Sequence, residues 1–226
     1  MSKPLVYMVR ADLDLDYVEP HHAWYARKHA PDNMGAGFWS ARGYDSSVSP
    51  NMWNIYEVPD VAIFSSEAYN AGHRSDPFLA TAVGKLKGRT VSLYTQVEVV
   101  APDGGAMARI PTLRGPSLAS ARFDSAADPA AIADWFRSRV VREHVGVAGV
   151  RTIRLWEQRD SHPKWPTTEP RWSVGIEWAS QDALGAADGR GRLAGAAADA
   201  TLRGSNVKVD AVWKRYSLVR EDLFGD

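Results

Sequence analysis

Two histidines and a tyrosine share one face of the first predicted helix, which extends from about Asp16 to His29. At about 100° per residue, His22, Tyr25 and His29 fall within about 60° of one another on a helical wheel. His21 points about 80° away from His29 and is expected to face solvent. An imidazole exchanges protons near neutral pH, and a phenol can orient a substrate oxygen. We therefore predict His29 as the proton-transfer residue of an active site, with His22 and Tyr25 as further catalytic residues.

The same histidines allow other interpretations. A protonated His29 would be favoured at the C-terminal end of a helix by the helix dipole, which is a structural role. His22 and His29 lie seven residues apart, about 10 Å along a helix, so they cannot bind one metal ion together. No His-Glu-x-x-His motif occurs and the chain has no cysteine, so no metal site is predicted. Heme needs one axial histidine, and His29, His73 or His144 would be the ligand; the sequence leaves heme open.

Composition and missing motifs exclude several classes of function. The chain has 27 basic and 27 acidic residues in no long blocks, which argues against a nucleic-acid partner and against a polybasic membrane anchor. Neither a Gly-x-Ser-x-Gly elbow nor a nucleotide-phosphate loop occurs, and the glycine-rich run 189–192 is predicted as an ordinary loop. No signal-peptide pattern and no long apolar run occur, so we expect a soluble, cytoplasmic protein.

Aromatic residues are abundant, with nine tryptophans, eight tyrosines and six phenylalanines, which suits a ligand cavity as well as an ordinary core. The predicted substrate-binding residues are Tyr7, Arg10, Trp24, Trp39, Arg42, Trp53 and Tyr94. An arginine on a buried face would need a carboxylate or phosphate partner, which makes Arg10 and its equivalent Arg122 of interest. Because strand side chains alternate between faces, Tyr7 and Arg10 lie on opposite faces, and either face is able to line the cavity.

These residues belong to a pattern that occurs twice in the chain. A strand, a tryptophan-containing helix that ends near a histidine, two further strands, a second helix and a fourth strand follow one another in each half. The offsets are 112 for Arg10 to Arg122 and for Gly37 to Gly149, 121 for Ile55 to Ile176, and 122 for Tyr94 to Tyr216. The offset is constant in the first part of each half and increases once, by nine or ten residues, before the third strand. This indicates a tandem duplication with a single insertion in the segment 158–170 of the second half.

Each half therefore has the order βαββαβ, and we predict an α+β fold of two ferredoxin-like halves, residues 1–100 and 116–226. The predicted strands are residues 5–12, 37–42, 53–58 and 91–97, then 118–124, 149–156, 172–178 and 212–219. Asp128 and Pro129 are predicted to cap the first helix of the second half. A four-stranded sheet with helices on one face must cover its other face, and pairing of the two sheets within one chain would do so.

The first half resembles the EthD-like branch of the dimeric α/β-barrel superfamily over about 80 residues. The resemblance rests on the segment Trp24-Tyr25-Ala26-Arg27-Lys28-His29-Ala30-Pro31, on Gly37-Phe38 with Arg42 and Tyr44, and on the third-strand segment Ile55–Asp60. In this superfamily the pocket lies between the first helix and the sheet, so His29 and His22 would line it. The second half has Arg139-Val140 in place of the Trp-Tyr dipeptide before His144, so we expect a working pocket in the first half alone.

The resemblance implies a cofactor-independent enzyme that acts on a small aromatic or polycyclic substrate by acid/base catalysis, of lyase, dehydratase, isomerase or cyclase type. The alternatives are a cofactor-free monooxygenase of a phenolic substrate and a non-catalytic protein that binds hydrophobic ligands. The expected partner is a small hydrophobic or aromatic molecule, and a homodimer is compatible with the sequence. The longer segment 158–170, which holds His162 and Trp165, would act as a lid or contact a partner subunit.

Overall fold

The computed structural model describes residues 4–107, 112–167 and 169–220, which form an α+β fold. The strands are β1 Leu5–Asp12, β2 Ser40–Asp45, β3 Met52–Val58, β4 Lys87–Val100, β5 Ser117–Ser125, β6 Val150–Asp160, β7 Trp172–Trp178 and β8 Gly204–Val219. The α-helices are α1 Val18–Trp24, α2 Ala30–Gly35, α3 Glu67–Arg74, α4 Leu79–Gly84, α5 Pro129–Trp135, α6 Arg142–His144, α7 Gln181–Ala186 and α8 Gly189–Ala197. A π-helical turn joins α1 to α2 at Tyr25–His29, and a second joins α5 to α6 at Phe136–Val141.

The eight strands form a closed antiparallel barrel in the order β1-β3-β2-β8-β5-β7-β6-β4. Around this barrel the first four strands follow the order β4-β1-β3-β2, and the last four follow β8-β5-β7-β6, which is the same order. Along the chain, helices follow β1 and β3 in the first set and β5 and β7 in the second, as the pattern βαββαβ requires. The predicted fold class, a tandem ferredoxin-like repeat of dimeric-α/β-barrel type within one chain, is confirmed.

Every predicted strand is present, but several begin at other residues: β4 and β8 begin at Lys87 and Gly204, four and eight residues earlier than predicted. Strands β1 and β7 match residues 5–12 and 172–178, and Asp128 caps α5 by accepting a hydrogen bond from the backbone N–H of Ala131. Strand β2 begins at Ser40 and not at Gly37, because Gly37 has φ +108° and turns the chain after α2.

The prediction of a loop at 189–192 is wrong, since these residues begin α8. Asp188 adopts a left-handed conformation with φ 46° and accepts a hydrogen bond from the backbone N–H of Gly191, which caps the helix. A Cβ at Gly189 would lie 2.6 Å from the ring of Trp178, so a glycine allows the helix to pack closely on this tryptophan. The glycines serve helix packing and not chain flexibility.

The chain divides into two compact units. Unit one contains the described residues 4–94, 160–167 and 214–220, and unit two contains 95–107, 112–159 and 169–213. The segment 160–167, which the sequence analysis placed in an insertion of the second half, thus belongs to unit one. The domain boundaries predicted at 1–100 and 116–226 remain a prediction.

A buried hydroxyl, arginine and glutamate recur at equivalent positions of both units. In unit one, Arg42 forms an ion pair of 3.0 Å with Glu57, and the Ser40 hydroxyl donates a hydrogen bond of 2.6 Å to the same carboxylate. The equivalents in unit two are Thr152, Arg154 and Glu177, with an ion pair of 2.8 Å. Serine to threonine and arginine to arginine are both 112 positions apart, which extends the repeat to the polar core.

The pair in unit two keeps its glutamate ionised. Burial by itself would raise the pKa of Glu177, but Arg154, the backbone N–H of Gly115 and the hydroxyl of Thr152 together hold that pKa below its ordinary value. Removing one member of such a buried pair leaves an uncompensated charge, which costs about 3–5 kcal/mol. Breaking the ion pair of Arg154 with Glu177 should therefore destabilise unit two.

The cores on the helix side differ between the units. In unit one the core is rich in aromatic rings, among them Tyr7, Tyr25, Phe38, Tyr56, Phe64 and Tyr69. In unit two it contains many aliphatic side chains together with Trp135, Phe136, Trp172 and Trp178. His144, at the position equivalent to His29 in the motif, is fully buried and uses Nδ1 for a 2.8 Å hydrogen bond with the Val140 carbonyl.

Candidate active site in unit one

An aromatic cavity of about 170 Å³ lies in unit one between the helices and the sheet. Strands β1, β3 and β4 form one wall, helices α1 to α4 form the other, and the segment 160–167 contributes Lys164 and Trp165. Tyr7 and Val9 line the cavity and Arg10 does not, so the helix-facing side of β1 is the one that lines it. An engineered protein cavity of about 150 Å³ binds benzene, so the volume suits a single aromatic ring.

The π-helical turn at Tyr25–His29 brings His21 and His29 to this cavity. Its wider winding shows in the hydrogen bond from the backbone N–H of Ala30 to the Tyr25 carbonyl, five residues earlier. The π-helical turn contains one residue more than an α-helical turn does. The eight steps from His21 to His29 therefore rotate the helix by only about 700°, almost two full turns, and both side chains point in nearly the same direction. The prediction that His21 faces solvent is therefore wrong: His21 is 1% exposed and lines the cavity.

His29 is a neutral imidazole held among other rings. Its ring centroid lies 4.6 Å from that of Trp24 and 5.7 Å from that of His73, and its Nε2 lies 3.3 Å from the Asn33 amide nitrogen. Burial, and then the positive charges that His73 and His21 would carry, lower the pKa of His29 to about 3. At neutral pH this imidazole is therefore unprotonated, and an anion bound beside it would raise its pKa and make it a stronger proton acceptor.

The neighbouring histidines share this state. Burial, followed by His22, lowers the pKa of His21 to about 4, against an opposing effect of Asp45. Burial, Lys164 and then His73 lower the pKa of His162 to about 4; its ring stacks on Tyr7 at 5.5 Å. Within the described residues, Nδ1 of His21 and Nε2 of His73 are buried without a hydrogen-bond partner, so a polar ligand would satisfy them.

The charged side chains of the cavity lining are both cationic. Arg89 and Lys164 line the cavity, and no carboxylate does so among the described residues. The Arg89 guanidinium lies over the Trp165 ring, 3.9 Å from its centroid. The Lys164 ammonium donates a 2.9 Å hydrogen bond to the side-chain oxygen of Asn70. The lining is therefore apolar and aromatic with positive charge.

Three predicted site residues, Tyr7, Trp24 and His29, line this cavity together. The Trp24 indole N–H donates a 2.8 Å hydrogen bond to Asp76, which fixes the ring beside His29. Tyr25 is 2% exposed and lies behind His29, with ring centroids 5.9 Å apart. Burial is the main cause of its raised pKa, so the phenol of Tyr25 stays protonated at neutral pH.

His22 lies at a different site of unit one, in a surface groove of about 290 Å³ that Tyr25 also lines. Its Nε2 lies 3.2 Å from Asp45, and Arg215 contacts the same carboxylate at 3.0 Å. Burial raises the pKa of Asp45, but His22 and Arg215 together hold it below its ordinary value. The structure thus separates His22 from His29, which the helical wheel had placed together.

The other predicted substrate-binding residues lie outside the cavity lining. Arg10 is fully buried, 5.2 Å from the ring centroid of Trp53, and contacts the hydroxyl of Ser92. Arg42 belongs to the buried pair with Glu57. Tyr94 is fully buried, and Trp39 is half-buried between β2 and its neighbours. The proposed ligand contacts of these residues remain predictions.

Several lining residues were not predicted from the sequence, among them His21, Asn33, Tyr69 and Arg89. One signal was available for Arg89, because the alternation of a strand places it on the same face as Val91. The observed strand β4 begins at Lys87, four residues before the predicted one, so Arg89 lay outside the predicted element. The π-helical turn that turns His21 inward left no comparable signal.

Comparisons with known proteins bear on this fold. No protein-family model and no curated protein matches the sequence. Among solved structures, an anthrone oxidase-like protein has a TM-score of 0.61 at 10% identity, over 96% of this chain and 94% of that chain. A candidate monooxygenase of Fusobacterium nucleatum also has a TM-score of 0.61 at 10% identity, over 97% and 95% of the chains. A heme-binding protein of Thermus thermophilus has 0.53 at 11%, over 96% and 92%.

The chain has the dimeric α/β-barrel fold. The predicted fold is thereby confirmed, and similarity at these identities shows the fold alone. Within the described residues, no helix is long and apolar enough to cross a membrane.

Neither the cavity beside His29 nor the surroundings of His144 fit a heme. The cavity beside His29 suits one aromatic ring and is too small for a porphyrin, which carries four pyrrole rings. The Nδ1 of His144 is engaged by the Val140 carbonyl inside a packed core. In the described part of the chain, no group of three or more histidine, aspartate or glutamate side chains is placed to hold a metal ion.

Proposed function

We propose that this protein is a cofactor-independent enzyme that acts on a small, single-ring aromatic molecule by acid/base catalysis in the cavity of unit one. His29 would be the catalytic residue. The observation that carries the proposal is a neutral imidazole at the wall of an aromatic cavity of about 170 Å³ that no carboxylate lines among the described residues. Polycyclic substrates, which the resemblance also implied, would exceed this volume.

The wall supplies the elements that proton transfer needs. Trp24 and the ring of Tyr56 enclose the substrate and exclude water, which strengthens electrostatic interactions inside the cavity. The free imidazole nitrogen of His29 accepts a proton from the substrate, and the imidazolium and the substrate anion then stabilise each other. Tyr25, packed behind His29, would position the imidazole. The predicted catalytic roles of His22 and Tyr25 remain proposals, and the geometry favours His29.

A monooxygenase is the second candidate. The similarity of the fold to an anthrone oxidase-like protein and to a candidate monooxygenase supports it. In that case His29 would deprotonate a phenolic substrate and the cavity would exclude water, while dioxygen would react with the substrate anion. The two candidates share the proton transfer and differ in their need for oxygen.

The other predictions accompany this function as proposals. A working pocket in unit one alone would follow from the different cores of the two units. Trp165 and Lys164 in the cavity wall support the proposed lid role of the segment 158–170. The cytoplasmic location and a homodimer remain proposals without further support.

Turnover of a panel of single-ring aromatics tests the function. Loss of phenol, catechol and benzoate would be followed by chromatography with and without dioxygen, for the wild type and for His29→Gln. General acid/base catalysis contributes about 10²–10⁴-fold, so His29→Gln should lower kcat at least about a hundredfold while the fold persists. Near-normal turnover with a lower melting temperature would assign His29 a structural role. A loss confined to His22→Gln would move the active site to the groove.

A further inference from the structure

Arg89 is the half-buried cation of the cavity, and it has no carboxylate partner among the described residues. Its guanidinium stacks on Trp165 at 3.9 Å and is part of the cavity wall. A guanidinium presents five N–H donors in a fixed fork, which matches a carboxylate. Stacking on Trp165 is favourable for the guanidinium and leaves its in-plane N–H groups available to an anion.

Two phenols line the cavity together with Arg89, Tyr7 on the strand wall and Tyr69 on the helix wall. Tyr7 and Tyr69 line the cavity, are 7% and 5% exposed, and interact electrostatically with Arg89. Burial raises the pKa of both phenols, so at neutral pH each keeps an O–H group to donate. Arg89, Tyr7 and Tyr69 therefore present hydrogen-bond donors to the cavity, and a ligand with an anionic oxygen would match them.

We infer that the cavity selects a single-ring aromatic anion whose carboxylate or phenolate oxygen is bound by the Arg89 guanidinium and the phenol groups of Tyr7 and Tyr69. The inference rests on the proposed function and names its substrate class. Trp24 and the aromatic wall would hold the ring, so that His29 lies beside it. If Arg89 only covered Trp165, the cavity would show no preference between charged and neutral ligands.

Binding of benzoate and of its neutral isostere benzamide, measured by calorimetry, tests the inference. The wild type should bind benzoate at least about tenfold more tightly than benzamide, because charge-assisted hydrogen bonds form to the carboxylate alone. Arg89→Gln should weaken benzoate by about 10- to 100-fold and leave benzamide within about threefold. Tyr69→Phe should weaken benzoate by about three- to tenfold, because one donor is lost and the ring remains.

The matched control is Arg151→Gln, which removes an exposed arginine of unit two and should change neither affinity. A measurement without any variant covers the case in which Arg89→Gln does not fold. Raising NaCl from about 50 mM to about 500 mM should weaken benzoate and spare benzamide.

Equal affinities for the two probes, or an equal loss of both in Arg89→Gln, would overturn the anion preference. The aromatic cavity of the proposed function would survive that result. Absence of binding by either probe would overturn the inference, and the proposed function would fall with it only if the turnover panel also shows no activity.

Discussion

Acid should destabilise the protein through histidines that the fold keeps in their neutral form. In the folded chain, burial and neighbouring histidines hold the pKa of His29 at about 3 and that of His21 at about 4. In the unfolded chain a histidine titrates near pH 6.5. Below that pH the unfolded chain binds protons that the folded chain does not, so the free energy of unfolding falls as the pH falls. The loss begins near pH 6.5 and continues down to the folded-state values.

The size of the effect follows from these two pKa values. Each excluded proton lowers the free energy of unfolding by about 1.4 kcal/mol per pH unit. Between about pH 7.5 and about pH 5, His29 should therefore contribute a loss of about 2 kcal/mol, and His21 a similar loss. Most carboxylates remain ionised above about pH 5, so this window isolates the histidines.

Urea unfolding, followed by tryptophan fluorescence at several pH values in that window, measures the effect. His29→Gln should flatten the pH dependence by about 2 kcal/mol, because one excluded proton is removed. The control is Phe38→Leu, in the same core, which should lower stability at every pH and leave the pH dependence unchanged. An unaltered pH dependence in His29→Gln would refute the neutral state of this imidazole.

Three further predictions concern the helix and the cores. Deletion of Arg27 from the π-helical turn should restore regular winding, rotate His21 or His29 off the cavity by about 100°, and abolish benzoate binding while circular dichroism keeps its helical signal. Gly175→Ala should cost at least about 1–3 kcal/mol in urea unfolding, because its Cβ would lie 2.2 Å from the Trp156 ring. Glu177→Gln should cost about 3–5 kcal/mol, because the Arg154 charge loses its partner.

Each of these has a control and a contrary outcome. Retained benzoate affinity after the deletion would show that helix phase does not set the site. Gly195→Ala in α8, where a Cβ meets no atom within 4 Å, should be neutral or stabilise by up to about 1 kcal/mol. Replacing Arg154 by methionine together with Glu177 by leucine should recover part of the single-variant loss. A double variant less stable than Glu177→Gln would argue against an unpaired charge as the cause.

The fold was predictable because its signal is distributed over the chain. Strand alternation and the offsets of 112 to 122 positions depend on many residues, so a boundary error at Gly37 or Lys87 leaves the order βαββαβ intact. The repeat even extends to the buried polar core, since Ser40 and Arg42 correspond to Thr152 and Arg154. That correspondence was present in the sequence and went unused.

The site was less predictable because it depends on helix phase and on tertiary contacts. The one additional residue in Tyr25–His29 turns His21 into the cavity and His22 out of it, which a wheel of constant angle cannot anticipate. Lys164 comes from the insertion after the sixth strand, more than 130 positions from His29. Trp24 and His29 were predicted from the motif of the first helix, and Tyr7 from the alternation of the first strand. Both signals depend only on residues close together in the sequence.

A crystal structure of the protein with 4-bromobenzoate tests the central claim most directly, because the bromine locates the ring by its anomalous signal. We expect the ring in the cavity of unit one, beside His29 and Trp24, with the carboxylate on Arg89. Bromine density in the groove beside His22, or in neither site at saturating ligand, would contradict it.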